Sequence, residues 1–237
     1  MAKLGVNIDH VATLREARRT YFPDPIEAAR ACEEAGCDSI VCHLREDRRH
    51  IKDADVAGLR EVVKTRLNLE MSIANDIVKI ACRVKPDQAT LVPEKRQEVT
   101  TEGGLDVKNN FRRIKPVVER LIDSGIDVSL FINPVKAQID SSYKTGARII
   151  EFHTGEYANA MTETKRKKEL EVLRQAAKYA LALGFEVNAG HGLNYGNVRD
   201  VARIGGINEL NIGHSIISRA VFVGIAEATR QMLELVI

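Results

Sequence analysis

Six polar residues that can exchange protons or hold a charged substrate follow short apolar segments at widely separated places in the chain. They are Asn7, Asp9, His43, Glu70, Glu151 and His191. Each is predicted to lie at the carboxyl end of a β-strand, where a parallel barrel builds its active site. Burial shifts the pKa values of carboxyl and imidazole groups, and such shifts suit general acid–base catalysis near neutral pH. The pattern therefore predicts an enzyme.

Histidine is the strongest single indication of catalysis. Imidazole has an unperturbed pKa of about 6.5, so it can accept and donate protons at cellular pH. A zinc or iron site is a rival interpretation, because histidines and a carboxylate on barrel strands also suit metal-dependent hydrolysis. His50 lies farther out in a charged segment, but five histidines fall at or just beyond predicted strand ends: His10, His43, His153, His191 and His214.

Eight candidate strands would position these residues. They cover residues 4–9, 38–43, 67–72, 88–92, 126–132, 148–153, 185–189 and 208–212, and a helical pattern follows each. At five of the joints a glycine ends the helix before the next strand. Because no G-x-G-x-x-G follows the first strand, a closed barrel fits better than an open sheet. We predict an α/β fold, a TIM (β/α)8 barrel formed as one domain by residues 1–237.

Alternation along the predicted strands separates polar from apolar side chains. Residues two apart share a face of a strand, so Asn7 and Asp9 are expected to point the same way. In the third strand, Glu70 is expected to oppose Leu69 and Met71. We predict that the apolar set packs under the helices and that the polar set points into the barrel, where branched apolar side chains are the norm.

Composition limits the possible partners. Lys and Arg number 35 against 33 Asp and Glu, and the net charge of +2 argues against a general attraction to nucleic acid or membrane. The four cysteines lack C-x-x-C spacing, which favours buried thiols in a reducing compartment over a zinc site or disulfides. The sequence has no apolar leader and no long apolar span, so a cytoplasmic protein is predicted.

Several segments at the predicted carboxyl ends could hold or cover an anionic substrate. The polar stretches 10–24, 44–53 and 93–111 are predicted to be loops that close over substrate. Glycine-bearing segments follow the last two strands, and phosphate-binding barrels use these loops with a helix N-terminus. Six arginines are candidates for a second anion site, although at least half of them are expected to be solvated: Arg15, Arg18, Arg19, Arg45, Arg48 and Arg49.

Long motifs spread from end to end of the chain resemble those of the pyridoxine 5′-phosphate synthases, the ring-closing enzymes of one vitamin B6 pathway. The motifs are GVNIDH (5–10), HLREDRRHI (43–51), NLEM (68–71), LVPEKRQEVTTEGG (91–104), VNAGHGL (187–193) and ELNIGH (209–214). The resemblance implies a transferase that condenses 3-amino-2-oxopropyl phosphate with 1-deoxy-D-xylulose 5-phosphate. The implied products are pyridoxine 5′-phosphate, inorganic phosphate and water.

The resemblance also implies a barrel with extra helices, a homo-octamer, and no metal or organic cofactor. At matching positions it implies proton acceptors at His43 and Glu70, a proton donor at His191, and a stabiliser of charged transition states at Glu151. Implied contacts to the pentulose phosphate are Asp9, His10, Arg45, His50 and Thr100. Implied contacts to the amino-ketone phosphate or the product are Asn7, Arg18, Gly192, Gly213 and His214. The segment around Arg18 departs somewhat from the family pattern.

Two other functions stay open on the residues alone. One is a metal-dependent barrel hydrolase, which metal analysis and chelators would distinguish. The other is a barrel that binds small phosphorylated metabolites without catalysis. The presence of His43, Glu70 and His191 together argues against this second alternative.

Overall fold

Eight parallel strands close into a barrel in the computed structural model, which describes residues 2–94 and 103–236. The strands are β1 (Lys3–Asn7), β2 (Ser39–Leu44), β3 (Arg66–Met71), β4 (Gln88–Leu91), β5 (Asp127–Ile132), β6 (Ile149–His153), β7 (Glu186–Gly190) and β8 (Ile207–Ile212). Each strand pairs with the next, and β8 pairs with β1. The predicted barrel is confirmed, and the predicted strand ends lie within two residues of those observed.

Helices surround the barrel, and some joints carry two. In chain order they are α1 (Asp9–Arg18), α2 (Pro25–Glu34), α3 (Asp53–Val62), α4 (Asn75–Val84), α5 (Val107–Asp123), α6 (Lys136–Thr145), α7 (Gly155–Ala158), α8 (Glu163–Ala182), α9 (Val198–Ala202), α10 (His214–Val223) and α11 (Ile225–Val236). Second helices follow β1, β6 and β8, so the expected extra helices are confirmed. Among the described residues, no helix is both long and apolar enough to span a membrane.

Glycine ends helices at the predicted joints. Gly146 ends α6 with a φ of 97°, and Gly184 follows α8 with a φ of 87°. A side chain at these φ values would clash with the backbone, whereas glycine turns the chain back toward the next strand without strain. The five joints predicted from the sequence all have a glycine with positive φ: Gly36, Gly125, Gly146, Gly184 and Gly206.

The barrel interior is unusually polar. Gln88 Nε2 donates to Thr90 Oγ1 at 3.0 Å, and Thr90 Oγ1 donates to Asn68 Oδ1 at 2.8 Å. A Cβ at Gly5 would strike the side chains of Asn211 and Ser39, so glycine is required where β1 passes this layer. The alternating apolar residues form the continuous core instead, as predicted for Leu69 and Met71.

The predicted loop at residues 10–24 is wrong, because residues 9–18 form helix α1. Strand β1 ends at Asn7, so Asp9 and His10 lie in the first turn of α1 and not on the strand. The sequence made Arg15 a candidate for a second anion site. Arg15 is instead buried, and its two terminal nitrogens donate to the two carboxylate oxygens of Asp55 at 2.8 Å each. This bidentate pair ties α1 to the start of α3.

Candidate active site

Four of the predicted site residues form one hydrogen-bonded group at the ends of β1, β2 and β3. Strand register places His43 directly beside Glu70. The amide of Asn7 donates to Asp9 Oδ2 at 3.0 Å and lies 3.4 Å from Glu70 Oε2. The Asp9 backbone N–H donates to Asn7 Oδ1 at 2.9 Å, and Asp9 Oδ1 accepts the His43 N–H at 2.8 Å. The short turn from β1 into α1 therefore holds the carboxylate of Asp9 against β2.

A buried cation lies beside this group. Arg45 is 4% exposed, and its Nε is 3.4 Å from Glu94 Oε1. Glu94 Oε2 is also 3.8 Å from His43 Nε2, so one carboxylate faces both basic side chains. The sequence placed His50 farther out, but its ring centroid is 6.2 Å from that of His43. Burial lowers the pKa of His50, whose Nδ1 accepts the Ile51 N–H at 2.9 Å.

Glu151 is a buried carboxyl group on the far side of the barrel mouth. Asn211 Nδ2 donates to Glu151 Oε2 at 2.6 Å, and a Cβ at Gly190 would strike the other carboxyl oxygen. Burial raises the pKa of Glu151 to about 8. Burial also raises the pKa of Glu70 well above its ordinary range, and the negative charges of Glu151 and Asp9 raise it further. Both carboxyl groups therefore favour the protonated form at neutral pH.

His153 and His191 form a pair of neutral imidazoles beside Glu151. Their ring centroids are 4.9 Å apart, and the ring centroid of Phe131 lies 5.4 Å from that of His153 in a T-shaped arrangement. Burial lowers the pKa of His153 to about 4, with a further decrease from His191, and burial also lowers the pKa of His191. The hydroxyl of Thr154 donates to the carbonyl of His191 at 2.5 Å, which anchors the backbone of the predicted proton donor.

The loops after β7 and β8 lie together, as a shared phosphate site requires. The hydroxyl of Ser215 donates to the carbonyl of Leu193 at 2.9 Å and joins the two loops. Gly213 precedes α10, whose first-turn N–H groups have no partners within the helix. A Cβ at Gly213 would lie 2.9 Å from the Cβ of Asn7, so glycine lets this loop approach β1.

Gly192 and His214 belong to the same pair of loops. Gly192 has a φ of 80°, and a Cβ there would lie 2.7 Å from the Cβ of Ala158. His214, the first residue of α10, is exposed, and its ring centroid is 5.1 Å from that of His10. Burial lowers the pKa of His10. The residues at this edge are therefore arranged as a helix N-terminus beside two imidazoles, a combination suited to anions.

The remaining predicted contacts have different outcomes. Arg18 is exposed at the last residue of α1, roughly 12 Å along the helix axis from His10. Thr100 lies outside the described residues, as does most of the predicted closing loop before Gly103. Other arginines considered for a second anion site pair with carboxylates, Arg48 with Asp53 and Arg49 with Asp47, each at 2.8 Å.

Four residues at the mouth received no role from the sequence. His153 had a signal, since it follows Glu151 by two positions and shares its strand face. Glu94 and Asn211 stand inside the recognised motifs but carried no assigned contact. Nothing in the sequence singled out Phe131, whose contact with His153 depends on the neighbouring strands of the closed barrel.

Asp9, His43 and Glu70 are also the one group of described residues spaced for a metal ion, with potential ligand atoms within 4.8 Å of one another. Hydrogen bonds compete with that use. Asp9 Oδ1 accepts from the His43 backbone and Oδ2 accepts from Asn7. Burial raises the pKa of Glu70, so a cation would have to displace a proton from this side chain in order to bind. The spacing therefore suits either a proton-transfer cluster or a metal centre, and the hydrogen bonds of Asp9 are accounted for without a metal ion.

Comparisons with known proteins agree with these features. A family model described as "Pyridoxal phosphate biosynthesis protein PdxJ" matches residues 4–237. A relative from Geotalea uraniireducens (strain Rf4), named "Pyridoxine 5'-phosphate synthase", is 59% identical over 236 residues and covers 100% of this chain and 99% of its own length. A relative of the same name from Gloeothece citriformis (strain PCC 7424) is 58% identical over 232 residues, 98% of this chain and 97% of its own.

A solved structure shares the fold at low identity. The protein titled "KGPDC from Streptococcus mutans" superposes with a TM-score of 0.67 at 13% identity, over 100% of this chain and 97% of that one. At this identity the likeness concerns the barrel alone.

Proposed function

Because this chain belongs to the pyridoxal phosphate biosynthesis protein PdxJ family, we propose that it is a transferase that condenses 3-amino-2-oxopropyl phosphate with 1-deoxy-D-xylulose 5-phosphate. The products are pyridoxine 5′-phosphate, inorganic phosphate and water. The observation that carries the proposal is one barrel mouth that joins His43, Glu70, Glu151 and His191. Ring closure needs repeated proton transfers, and these side chains exchange protons.

Two phosphorylated substrates require two anion sites, and two edges of the mouth suit anions. We expect Asp9, His10, Arg45, His50 and Thr100 to contact the pentulose phosphate, with Arg45 as a buried cation. Asn7, Gly192, Gly213 and His214 would hold the amino-ketone phosphate or product at the start of α10, where His10 lies beside His214. Arg18, which is also predicted to contact this second ligand, lies at the far end of α1.

Charged substrates would activate the proton-transfer groups. His43 and Glu70 act as proton acceptors, His191 as the donor, and Glu151 stabilises charged transition states. A raised pKa keeps Glu70 protonated, and a lowered pKa keeps His191 neutral, before substrate binds. The substrate's ammonium group would lower the pKa of Glu70, and a phosphate near His191 would raise the pKa of that imidazole. Glu70 and His191 would then reach the protonation states that their roles need.

Turnover tests the proposal directly. Purified protein incubated with both phosphates should release inorganic phosphate and produce pyridoxine 5′-phosphate in equal amounts, and omission of either substrate should stop both. Binding of the phosphates without product would instead support the phosphometabolite-binding alternative. The experiment distinguishes a synthase from a non-catalytic binding protein because binding and turnover are measured on the same preparation.

A metal-dependent hydrolase is the second candidate, and the spacing of Asp9, His43 and Glu70 is the observation in its favour. The two functions differ in their response to chelators. The proposed synthase should keep its full turnover after dialysis against EDTA, with less than one metal ion for every ten chains by elemental analysis. Loss of turnover that zinc or iron restores would support the hydrolase type of chemistry.

We also propose that the chain assembles as a homo-octamer in the cytoplasm and folds as a single domain. Large apolar side chains are exposed after α1 and at the end of α10, two helices that pack together: Tyr21, Phe22, Val221 and Phe222. Burying them between subunits would remove apolar surface from water. Three buried free thiols, Cys32, Cys37 and Cys42, fit a reducing compartment. Light scattering should give eight times the 26.3 kDa chain mass.

A further inference from the structure

The carboxylate of Glu94 faces three hydrogen-bond donors: the Glu46 N–H, Arg45 and His43. The Glu94 side chain is 4% exposed, and Oε1 accepts the backbone N–H of Glu46 at 2.9 Å. The same oxygen is 3.4 Å from Arg45 Nε, and the other carboxylate oxygen is 3.8 Å from His43 Nε2. A backbone N–H, a guanidinium and an imidazole therefore converge on one anionic group.

These three donor types are the ones that proteins use to bind phosphate groups. Of these three contacts, only the one with the Glu46 N–H is a short hydrogen bond. The 3.4 Å distance to Arg45 Nε is at the limit for a hydrogen bond, and the 3.8 Å distance to His43 Nε2 is beyond it. The carboxylate is thus held mainly by charge. Burial alone would raise the pKa of Glu94, but His43, the Glu46 amide and Arg45 together lower it, so the group is anionic at neutral pH.

We propose that Glu94 is an internal anion that occupies the phosphate position beside Arg45 and His43, and that a substrate phosphate must displace its carboxylate to bind. Two anions cannot share the same donors at this distance without strong repulsion. The carboxylate keeps Arg45 and His43 in place before a phosphate arrives. It also lowers the affinity for weak anions, because only molecules in which it has moved away can bind them.

The alternative role for Glu94 is to orient His43 as a hydrogen-bonded partner. The 3.8 Å separation between Glu94 Oε2 and His43 Nε2 is too long for that bond. The two roles predict different kinetic effects. Removing a displaceable anion strengthens phosphate binding, whereas removing a partner of His43 lowers the rate of the chemical step.

The test is calorimetric titration of the full-length protein with inorganic phosphate, with Glu94→Gln compared with the parent. Gln keeps the size and removes the charge, so phosphate should bind roughly fivefold tighter or better. Asp76→Asn is the control, since it removes the same charge from an exposed residue that pairs with Arg48 at 3.5 Å. Its phosphate affinity should stay within about twofold of the parent, because exposed charges contribute little.

A double variant tests whether the increase in phosphate affinity arises from binding at Arg45. Adding Arg45→Gln to the Glu94→Gln protein should abolish the gain, whereas a gain that persists places the anion elsewhere and overturns the proposal. Equal or weaker phosphate binding by a folded Glu94→Gln protein also overturns it. If that variant does not fold, Glu94→Asp serves instead, since the shorter side chain retreats from the donors and should also strengthen binding.

The inference rests on the proposed function only in naming a phosphate ester as the displacing anion. Phosphate titration needs no turnover, so the absence of turnover would refute the proposed function and leave this test intact. With an active enzyme, Glu94→Gln should lower KM for the pentulose phosphate and leave kcat within about threefold. A fall in kcat with unchanged phosphate affinity would show that Glu94 orients His43 and would contradict displacement.

Discussion

Ionisable side chains favour their charged forms on one side of the barrel mouth and their uncharged forms on the other. On the β2 side, Arg45, Glu94 and Asp9 lie among opposite charges and hydrogen-bond donors. On the β6 side, burial is the largest influence on the carboxyl group of Glu151 and the imidazole of His153, and it drives both toward their uncharged forms. The first side therefore keeps its charges, which suits substrate binding, and it also carries the proposed proton acceptor His43. The second suppresses charge and suits proton transfer.

Glu70 connects the two sides. Its carboxyl group is near Asn7 on the charged side, and its pKa depends on Glu151 across the mouth. Glu70→Gln should therefore have the largest effect, a decrease in kcat of about 10²-fold or more with an unchanged circular dichroism spectrum. Glu119→Gln, an exposed change on α5, should leave kcat unchanged. Near-normal turnover in Glu70→Gln would remove Glu70 from the mechanism.

Substitution of His153 tests whether His153 and His191 act together in proton transfer. We expect His153→Phe to lower kcat about tenfold, because the aromatic ring is retained but the polar neighbour of His191 is lost. An imidazolium at His191 would then be less stable, so the alkaline limb of the kcat–pH profile should move to lower pH. His153→Gln should restore part of both. A profile that stays in place in His153→Phe would assign His153 a packing role alone.

Sequence reasoning located the strands accurately because their signals are local. Alternation, glycine joints and apolar runs are properties of neighbouring residues, and they placed His43, Glu70, Glu151 and His191 at the mouth. It failed where partners are distant in the sequence. The pair of Arg15 with Asp55 joins α1 to α3 across 40 residues. Glu94 contacts His43 and Arg45, about 50 residues earlier. Barrel closure creates these contacts.

The raised pKa of Glu151 predicts a smaller effect, on the pH dependence of folding stability. Its pKa rises from 4.5 to about 8 in the folded protein, so the folded state binds more protons than the unfolded state between these values. Stability is therefore lost as pH rises through this window. Glu151→Gln removes the loss and should stabilise the protein by roughly 1–3 kcal/mol at pH 8, with little effect at pH 4.5. Thermal melts at both pH values measure this, and an equal change at both would contradict it.

The division between a charged binding side and an uncharged proton-transfer side is tested most directly by comparing Arg45→Lys with His191→Asn. Substrate dissociation constants and single-turnover rate constants should be measured for both variants. Arg45→Lys should weaken pentulose phosphate binding about tenfold with a rate constant within threefold of the parent, because lysine keeps the charge but loses the planar donor geometry. His191→Asn should lower the rate constant by about 10²-fold with binding within threefold. If both variants alter the same constant, substrate binding and proton transfer are not separated between the two sides, and the account is contradicted.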